Sequence, residues 1–85
     1  MNVEPLILGD QAFVLDPPVL EVFSQGTSQS RILLTGTVTT LGDPDHKGRR
    51  ELEVRDAKRH LLFFQRIDAE HVPAIEAFVA SISTR

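Results

Sequence analysis

The sequence predicts a mainly β (α+β) domain, in which six to seven antiparallel strands form a roll or barrel closed by one C-terminal α-helix. Three observations support this fold class. Short apolar runs divided by Gly, Asp and Pro fill the first two-thirds of the 85 residues. Residues 50–56 alternate between apolar and charged. After residue 67 the apolar spacing becomes that of a helix. A chain of this length is expected to fold as a single domain over residues 1–85.

Turn residues divide the expected strands. Asp16-Pro17-Pro18 cannot lie in a central strand, so it predicts a turn, and Gly9-Asp10 predicts another. Ser24 to Ser30 is polar and is expected to be a loop, as is Gly42 to Gly48. The strands are therefore predicted at residues 6–8, 12–15, 19–23, 32–34, 37–41, 50–56 and 60–65.

The C-terminal segment predicts an amphipathic helix. Its apolar stripe consists of Val72, Ile75, Phe78, Val79 and Ile82. Pro73 fits best if the regular helix begins near Val72 and Asp68 to His71 form a turn before it. Asp68 is the expected N-cap. A helix this short is unstable alone in water, so it must lie on the sheet. Residues 60–65 are apolar on both faces, which predicts cover on both sides, with the helix as a lid on Leu61 to Phe64.

Composition excludes several classes of function. The absence of cysteine rules out a disulfide, a thiolate metal site and a thiol nucleophile, and it favours a reducing compartment. The net charge of −3 makes nucleic-acid binding an unfavoured function. Met1 to Pro5 does not have the pattern of a signal peptide, and no apolar run is long enough to cross a membrane. We therefore expect a cytoplasmic protein.

The order of elements resembles that of the small bacterial pleckstrin-homology (PH)-like domains. The resemblance is carried by Ser30 to Leu34, by Arg50 to Asp56 with its return strand, and by the final helix from Asp68 to Ser83. It implies two antiparallel sheets closed at one end by the helix. Phe78 stands where many PH domains have Trp, and the Asp16-Pro17-Pro18 connection lacks the basic residues of lipid-binding members. The phosphoinositide role is therefore not carried over.

Basic residues are concentrated in one part of the chain. Seven of the nine Lys and Arg residues lie between Lys47 and Arg66, a stretch with only three acids. This region could meet an anionic membrane, a phosphate group or an acidic partner. Pairing of these residues with Glu51 and Glu53 is the stronger interpretation. The candidate surface, called the basic surface below, consists of Lys47, Arg49, Arg50, Arg55, Lys58 and Arg59.

Other polar groups predict no site. Asp43, Asp45 and His46 are possible cation ligands, but Lys47 and Val54 stand where a calcium loop needs ligands, so a polar turn is favoured. The serines of residues 24–30 have no recognisable base. The glycines do not have the spacing of a phosphate-binding loop. We therefore expect no catalytic residues, no metal and no cofactor.

The sequence thus favours a non-catalytic binding or scaffold module for a protein or peptide partner. One alternative is a structural domain that self-associates through a strand edge. Another is weak binding of residues 47–66 to an anionic membrane surface.

Overall fold

A computed structural model describes residues 5–83 and gives seven strands and a C-terminal helical segment in that part of the chain. The strands form two antiparallel sheets, one in the order β1-β2-β3-β4 and the other in the order β5-β6-β7. Contacts divide the chain into two compact units, with the boundary between Gly36 and Thr37. The strands are β1 (Leu6–Leu8), β2 (Gln11–Asp16), β3 (Val19–Ser24), β4 (Thr27–Leu33), β5 (Val38–Leu41), β6 (Arg50–Arg55) and β7 (Leu61–Ile67).

The first sheet is a meander joined by tight turns. Gly9 and the Gln25-Gly26 pair have positive φ, as two-residue hairpin loops require. Pro17-Pro18, joined by a cis peptide bond, connects β2 to β3. Alternate residues of the strands share one buried face, so the period of two seen in the sequence becomes one-sided burial. The buried side chains are Leu8, Phe13, Leu15, Leu20, Val22 and Ile32.

The second sheet contributes its buried side chains mainly from its middle strand. Leu52 and Val54 of β6 are buried, as the alternation of residues 50–56 predicted. Glu51, Glu53 and Arg55 lie on the opposite face. At the β6–β7 hairpin, Val54 pairs with Phe63 and Arg55 pairs with Leu61. Leu62 is therefore the extra residue of a β-bulge.

The terminal helix begins where Pro73 predicted. A short 3-10 turn over Ala69–His71 precedes α1, which spans Val72–Ser83 and contacts β5. Ile75 and Phe78 of the stripe are buried. Asp68 occupies the N-cap position of the 3-10 turn, as predicted, but its side chain makes no capping hydrogen bond.

The structure corrects three expectations and leaves one outside its range. The strands form two sheets and not a closed barrel. Ser24 to Ser30 is not a loop, because only Gln25 and Gly26 form the turn and β4 begins at Thr27. Leu61, Leu62 and Phe64 are 44–47% exposed, so β7 is not covered on both faces, and the helix is not a lid on all of Leu61 to Phe64. The expectation for Met1 to Pro5 concerns mainly residues 1–4, which lie outside the described residues.

Candidate binding surface

The loop before β6 contains a five-residue turn organised by Asp45. One oxygen of its carboxylate accepts hydrogen bonds from the backbone N–H groups of Lys47 and Arg49, at 2.8 and 2.9 Å. The other oxygen accepts a bond of 2.9 Å from Arg49 Nε. Gly48 N–H donates to the carbonyl of Asp45, and Asp45 N–H donates to that of Arg49. The side chain proposed as a cation ligand therefore holds a turn together.

The hairpin turn between β6 and β7 repeats this arrangement around Asp56. Its carboxylate accepts bonds from the backbone N–H groups of Lys58 and His60, at 2.8 and 2.9 Å, and its second oxygen lies 3.0 Å from His60 Nδ1. Arg59 N–H donates to the carbonyl of Asp56, and Asp56 N–H donates to that of His60. We call Asp45–Arg49 the first turn and Asp56–His60 the second turn.

These hydrogen bonds lower the pKa of both aspartates. At Asp45, desolvation acts to raise the pKa, but the combined hydrogen bonds from Arg49 and Lys47 outweigh it and lower the pKa from 3.8 to about 2. At Asp56, the backbone N–H of His60 is the largest cause of the lowering, and the His60 side chain and Lys58 N–H add to it. Hydrogen bonds to the charged form of a carboxylate act in this direction.

The side chain of Arg50 is engaged by other residues of the second compact unit. Its Nε donates to the carbonyl of Gly42 at 2.7 Å, and its second terminal nitrogen donates to that of Leu41 at 3.2 Å. The first terminal nitrogen lies 3.2 Å from a carboxylate oxygen of Glu76 on α1. The guanidinium therefore ties β6 to the end of β5 and to the helix.

Acidic neighbours engage two further members of the basic surface. Arg49 pairs with Asp45 within the first turn, and Arg55 pairs with Glu53 at 2.8 Å while donating to the carbonyl of Arg59. This agrees with the interpretation that the charges of residues 47–66 are largely paired within the region.

Three cations of the basic surface remain exposed. The side chains of Lys47, Lys58 and Arg59 form no ion pair with any residue in the described range 5–83. Lys47 lies in the first turn, whereas Lys58 and Arg59 are neighbours in the second. The sequence-predicted set therefore separates into paired arginines and two small groups of accessible charge.

An apolar ridge follows the second turn directly. It consists of Leu61, Leu62 and Phe64, whose exposed fractions are 47%, 44% and 46%. Phe63 and Gln65 are less exposed, so the ridge occupies the outer face of β7. The bulge at Leu62 breaks the alternation, which accounts for two consecutive exposed leucines.

Charges beside the ridge are unequally balanced. In the strand register, Phe64 lies opposite Glu53 and Leu61 lies opposite Arg55, and these two charged residues neutralise each other. Farther along, Arg66 lies 3.4 Å from Glu51. Among residues 5–83, Lys58 and Arg59 at the start of the ridge have no ion-pair partner, and Asp56 is the one acid of their turn. The end of the ridge that adjoins the second turn therefore carries net positive charge.

Sequence reasoning found the basic residues but missed the apolar ridge. The composition of Leu61 to Phe64 is that of a buried strand, so it predicts cover on both sides. Its place in the chain gives no contrary signal, because the last strand in sequence can lie at the edge or in the middle of a sheet. Exposure of such a strand depends on what lies over it, which composition does not specify.

Two findings concern metal binding and membrane spanning in residues 5–83. In that range, no group of three or more His, Asp or Glu side chains could hold a metal ion. No helix there has the length and apolar character needed to cross a membrane. His46 is exposed within the first turn, and Asp43 lies before it.

Comparisons with known proteins do not place the chain in a family. No family model matches it, and neither a curated protein nor a solved structure matches it.

Proposed function

We propose that the chain is a non-catalytic binding module, with a PH-like arrangement of elements, that recognises a protein partner through the apolar ridge and the adjacent second turn. The observation that carries the proposal is the exposure of Leu61, Leu62 and Phe64 beside the unpaired Lys58 and Arg59. Contiguous exposed apolar side chains rimmed by polar groups mark interaction sites. Single exposed apolar residues do not carry the same meaning.

Charge determines the chemistry of the partner. Glu53 and Arg55 beside the ridge cancel, whereas the second turn adds two positive side chains, Lys58 and Arg59, against the one carboxylate of Asp56. A partner that buries the ridge without leaving these cations opposed to like charge must be apolar with flanking Asp or Glu. We therefore infer an acidic, apolar segment of another protein as the ligand.

The order of elements supports the PH-like part of the proposal. A four-stranded meander, a three-stranded meander and a terminal helix occur in that order along the chain. The resemblance implies the same order. Binding of partner proteins on a strand face requires no catalytic group, which fits a chain whose polar clusters are used to build turns.

A peptide-display experiment tests this function. Random peptides displayed on phage are selected against the wild-type chain, and the enriched peptides are measured by fluorescence anisotropy. We expect enriched sequences with Asp or Glu beside apolar residues. The Phe64→Ser and Leu62→Ser variants should each weaken binding by at least about tenfold, because central apolar contacts dominate interface energies. Ile7→Ser is a matched control, since Ile7 is 62% exposed but lies on β1.

The contribution of the charged residues of the second turn to binding is measured separately. Lys58→Ser should weaken binding less than Phe64→Ser does, and raising the salt concentration should reduce the difference from wild type. Enrichment of peptides that bind the Phe64→Ser variant as tightly as wild type would overturn the proposal. Flotation with vesicles that contain anionic lipid, in the absence of peptide enrichment, would instead favour the membrane alternative.

A further inference from the structure

The outer edge of β4 is a second feature that the apolar ridge does not explain. In the first sheet β4 is the last strand, and its only strand neighbour in residues 5–83 is β3. It spans seven residues, compared with three in β1 and four in β5. β7 also ends a sheet and also spans seven residues, but its outer face carries the apolar ridge already assigned to a protein partner.

An edge strand presents backbone N–H and C=O groups to any strand that approaches it. Proteins usually block such edges with Pro, with several charges or with a short strand. β4 has none of these, because Thr27–Leu33 contains no proline and a single charge, Arg31. The one protective feature is a bulge, in which Val22 pairs with Ser30 and Phe23 with Ser28, so Gln29 is the extra residue.

The side chains of β4 favour a preformed strand over a flexible peptide as its partner. Thr27, Ser28 and Gln29 are exposed and polar, and Leu33 is the one large apolar side chain of the strand that is substantially exposed, at 59%. A disordered peptide loses backbone conformational entropy for each residue that it orders. This edge offers few apolar contacts in return. A strand that is already ordered does not bear that cost.

We propose that β4 pairs antiparallel with β4 of a second copy of the chain, which joins two four-stranded sheets into one. Such a pair is two-fold symmetric, so one residue lies opposite its own counterpart. Symmetry at Arg31 would oppose two like charges, which destabilises a strand pair. Symmetry at Ser30 places Arg31 opposite Gln29 of the other copy and two serines opposite each other. Ser30 is also the central residue of Thr27–Leu33, so symmetry there pairs all seven residues of the strand, and we assign the axis to Ser30.

The interface is small, so the dimer is weak. Pairing of one seven-residue strand falls below the area of standard stable interfaces. We expect a dissociation constant in the micromolar to millimolar range. Sedimentation velocity at concentrations up to about 1 mM covers it, since that concentration corresponds to an association free energy of about −4 kcal/mol.

Cysteine scanning supplies the decisive test, because the chain contains no cysteine of its own. Single cysteines are introduced as Ser28→Cys, Gln29→Cys, Ser30→Cys and Arg31→Cys, and Thr35→Cys serves as a control outside the strands. A disulfide needs Cα atoms about 4.4–6.8 Å apart, and directly opposed residues of antiparallel strands meet that condition. Only the residue on the two-fold axis opposes itself. Mild oxidation should therefore give a sharp maximum of covalent dimer at Ser30→Cys, several-fold above the Thr35→Cys control.

Two variants without cysteine distinguish this edge from the apolar ridge. Gln29→Lys should abolish the concentration-dependent dimer, because it sets Lys opposite Arg31 of the second copy, whereas Gln29→Ser should retain it. Phe64→Ser should leave the dimer unchanged. Monomeric sedimentation of the wild type up to about 1 mM, or equal cross-linking at all five positions, overturns the proposal.

Discussion

The two Asp-centred turns share one hydrogen-bond pattern and one left-handed position, but they place different residues at that position. In both, an aspartate accepts from two backbone N–H groups and from the side chain of the residue four positions later. The fourth residue of each turn has a left-handed conformation, with φ of 78° at Gly48 and 69° at Arg59. Glycine adopts that conformation freely, whereas a residue with a side chain is strained there by about 1–2 kcal/mol.

The surroundings explain the glycine of the first turn. A Cβ atom on Gly48 would lie 3.2 Å from the Cβ atom of Ala69, so a side chain there would meet both backbone strain and a steric limit. The second turn retains its strained arginine, and that arginine lies beside the apolar ridge. Backbone strain that persists next to an exposed site is a recognised mark of function. We therefore propose that the first turn serves stability and the second serves recognition.

The largest effect on stability is expected for Gly48→Ala. It should lower the free energy of unfolding by about 2 kcal/mol, because left-handed strain and the contact with Ala69 both act. Urea denaturation measures the loss as a shift of the midpoint at constant slope. Gly26→Ala is the matched control, since Gly26 has φ of 79° but no neighbour within 4 Å of an added Cβ. An equal loss in both variants would show that Ala69 plays no part.

Arg50→Met should have the next largest effect, a loss of about 1.5 kcal/mol. The substitution leaves the carbonyls of Gly42 and Leu41 and the carboxylate of Glu76 without their shared donor. Arg55→Met should cost only about 0.5 kcal/mol, because the Arg55 side chain is twice as exposed as that of Arg50 and donates to one carbonyl instead of two. Equal losses in the same urea titration would mean that Arg50 does not tie the strands to the helix.

Arg59→Gly should stabilise the chain slightly, by about 0.5 kcal/mol. Relief of left-handed strain exceeds the extra freedom that glycine gains in the unfolded chain. The carbonyl of residue 59 remains available to Arg55 in the variant. Arg59→Lys keeps both the strain and the charge, so its thermal midpoint should equal that of wild type. A destabilised Arg59→Gly variant would contradict the assignment of strain to this turn.

The smallest expected effect is on the stability of the fold at acidic pH. Because folding lowers the pKa of Asp45 to about 2, the stability that this carboxylate confers is present above its unfolded value of 3.8 and is lost as the pH falls towards about 2. Wild type should therefore lose stability between about pH 4 and about pH 2. Asp45→Asn should lose less over the same interval, in urea titrations at several pH values. Identical pH slopes would exclude the turn as the origin of acid sensitivity.

Periodicity predicted the elements that have one buried face. The stripe from Val72 to Ile82 specified the helix, and the alternation of residues 50–56 specified β6, because side-chain burial follows backbone period in both. The end of β4 was predicted, but its first part, residues 27–30, was predicted as a loop because an exposed edge strand can be built from Ser, Thr and Gln, which are also typical of loops. The exposure of Leu61 and Phe64 was not predicted, because an apolar run does not reveal what covers it.

Arg59 supplies the most direct test of the central claim, that the second turn and the apolar ridge form a binding surface. The Arg59→Gly variant separates stability from recognition, since it removes a strained and unpaired cation at once. Its affinity for a peptide selected against wild type is measured by anisotropy beside its urea midpoint. The account predicts a chain that is more stable yet binds several-fold more weakly. An Arg59→Gly variant that binds the selected peptide as tightly as wild type would contradict it.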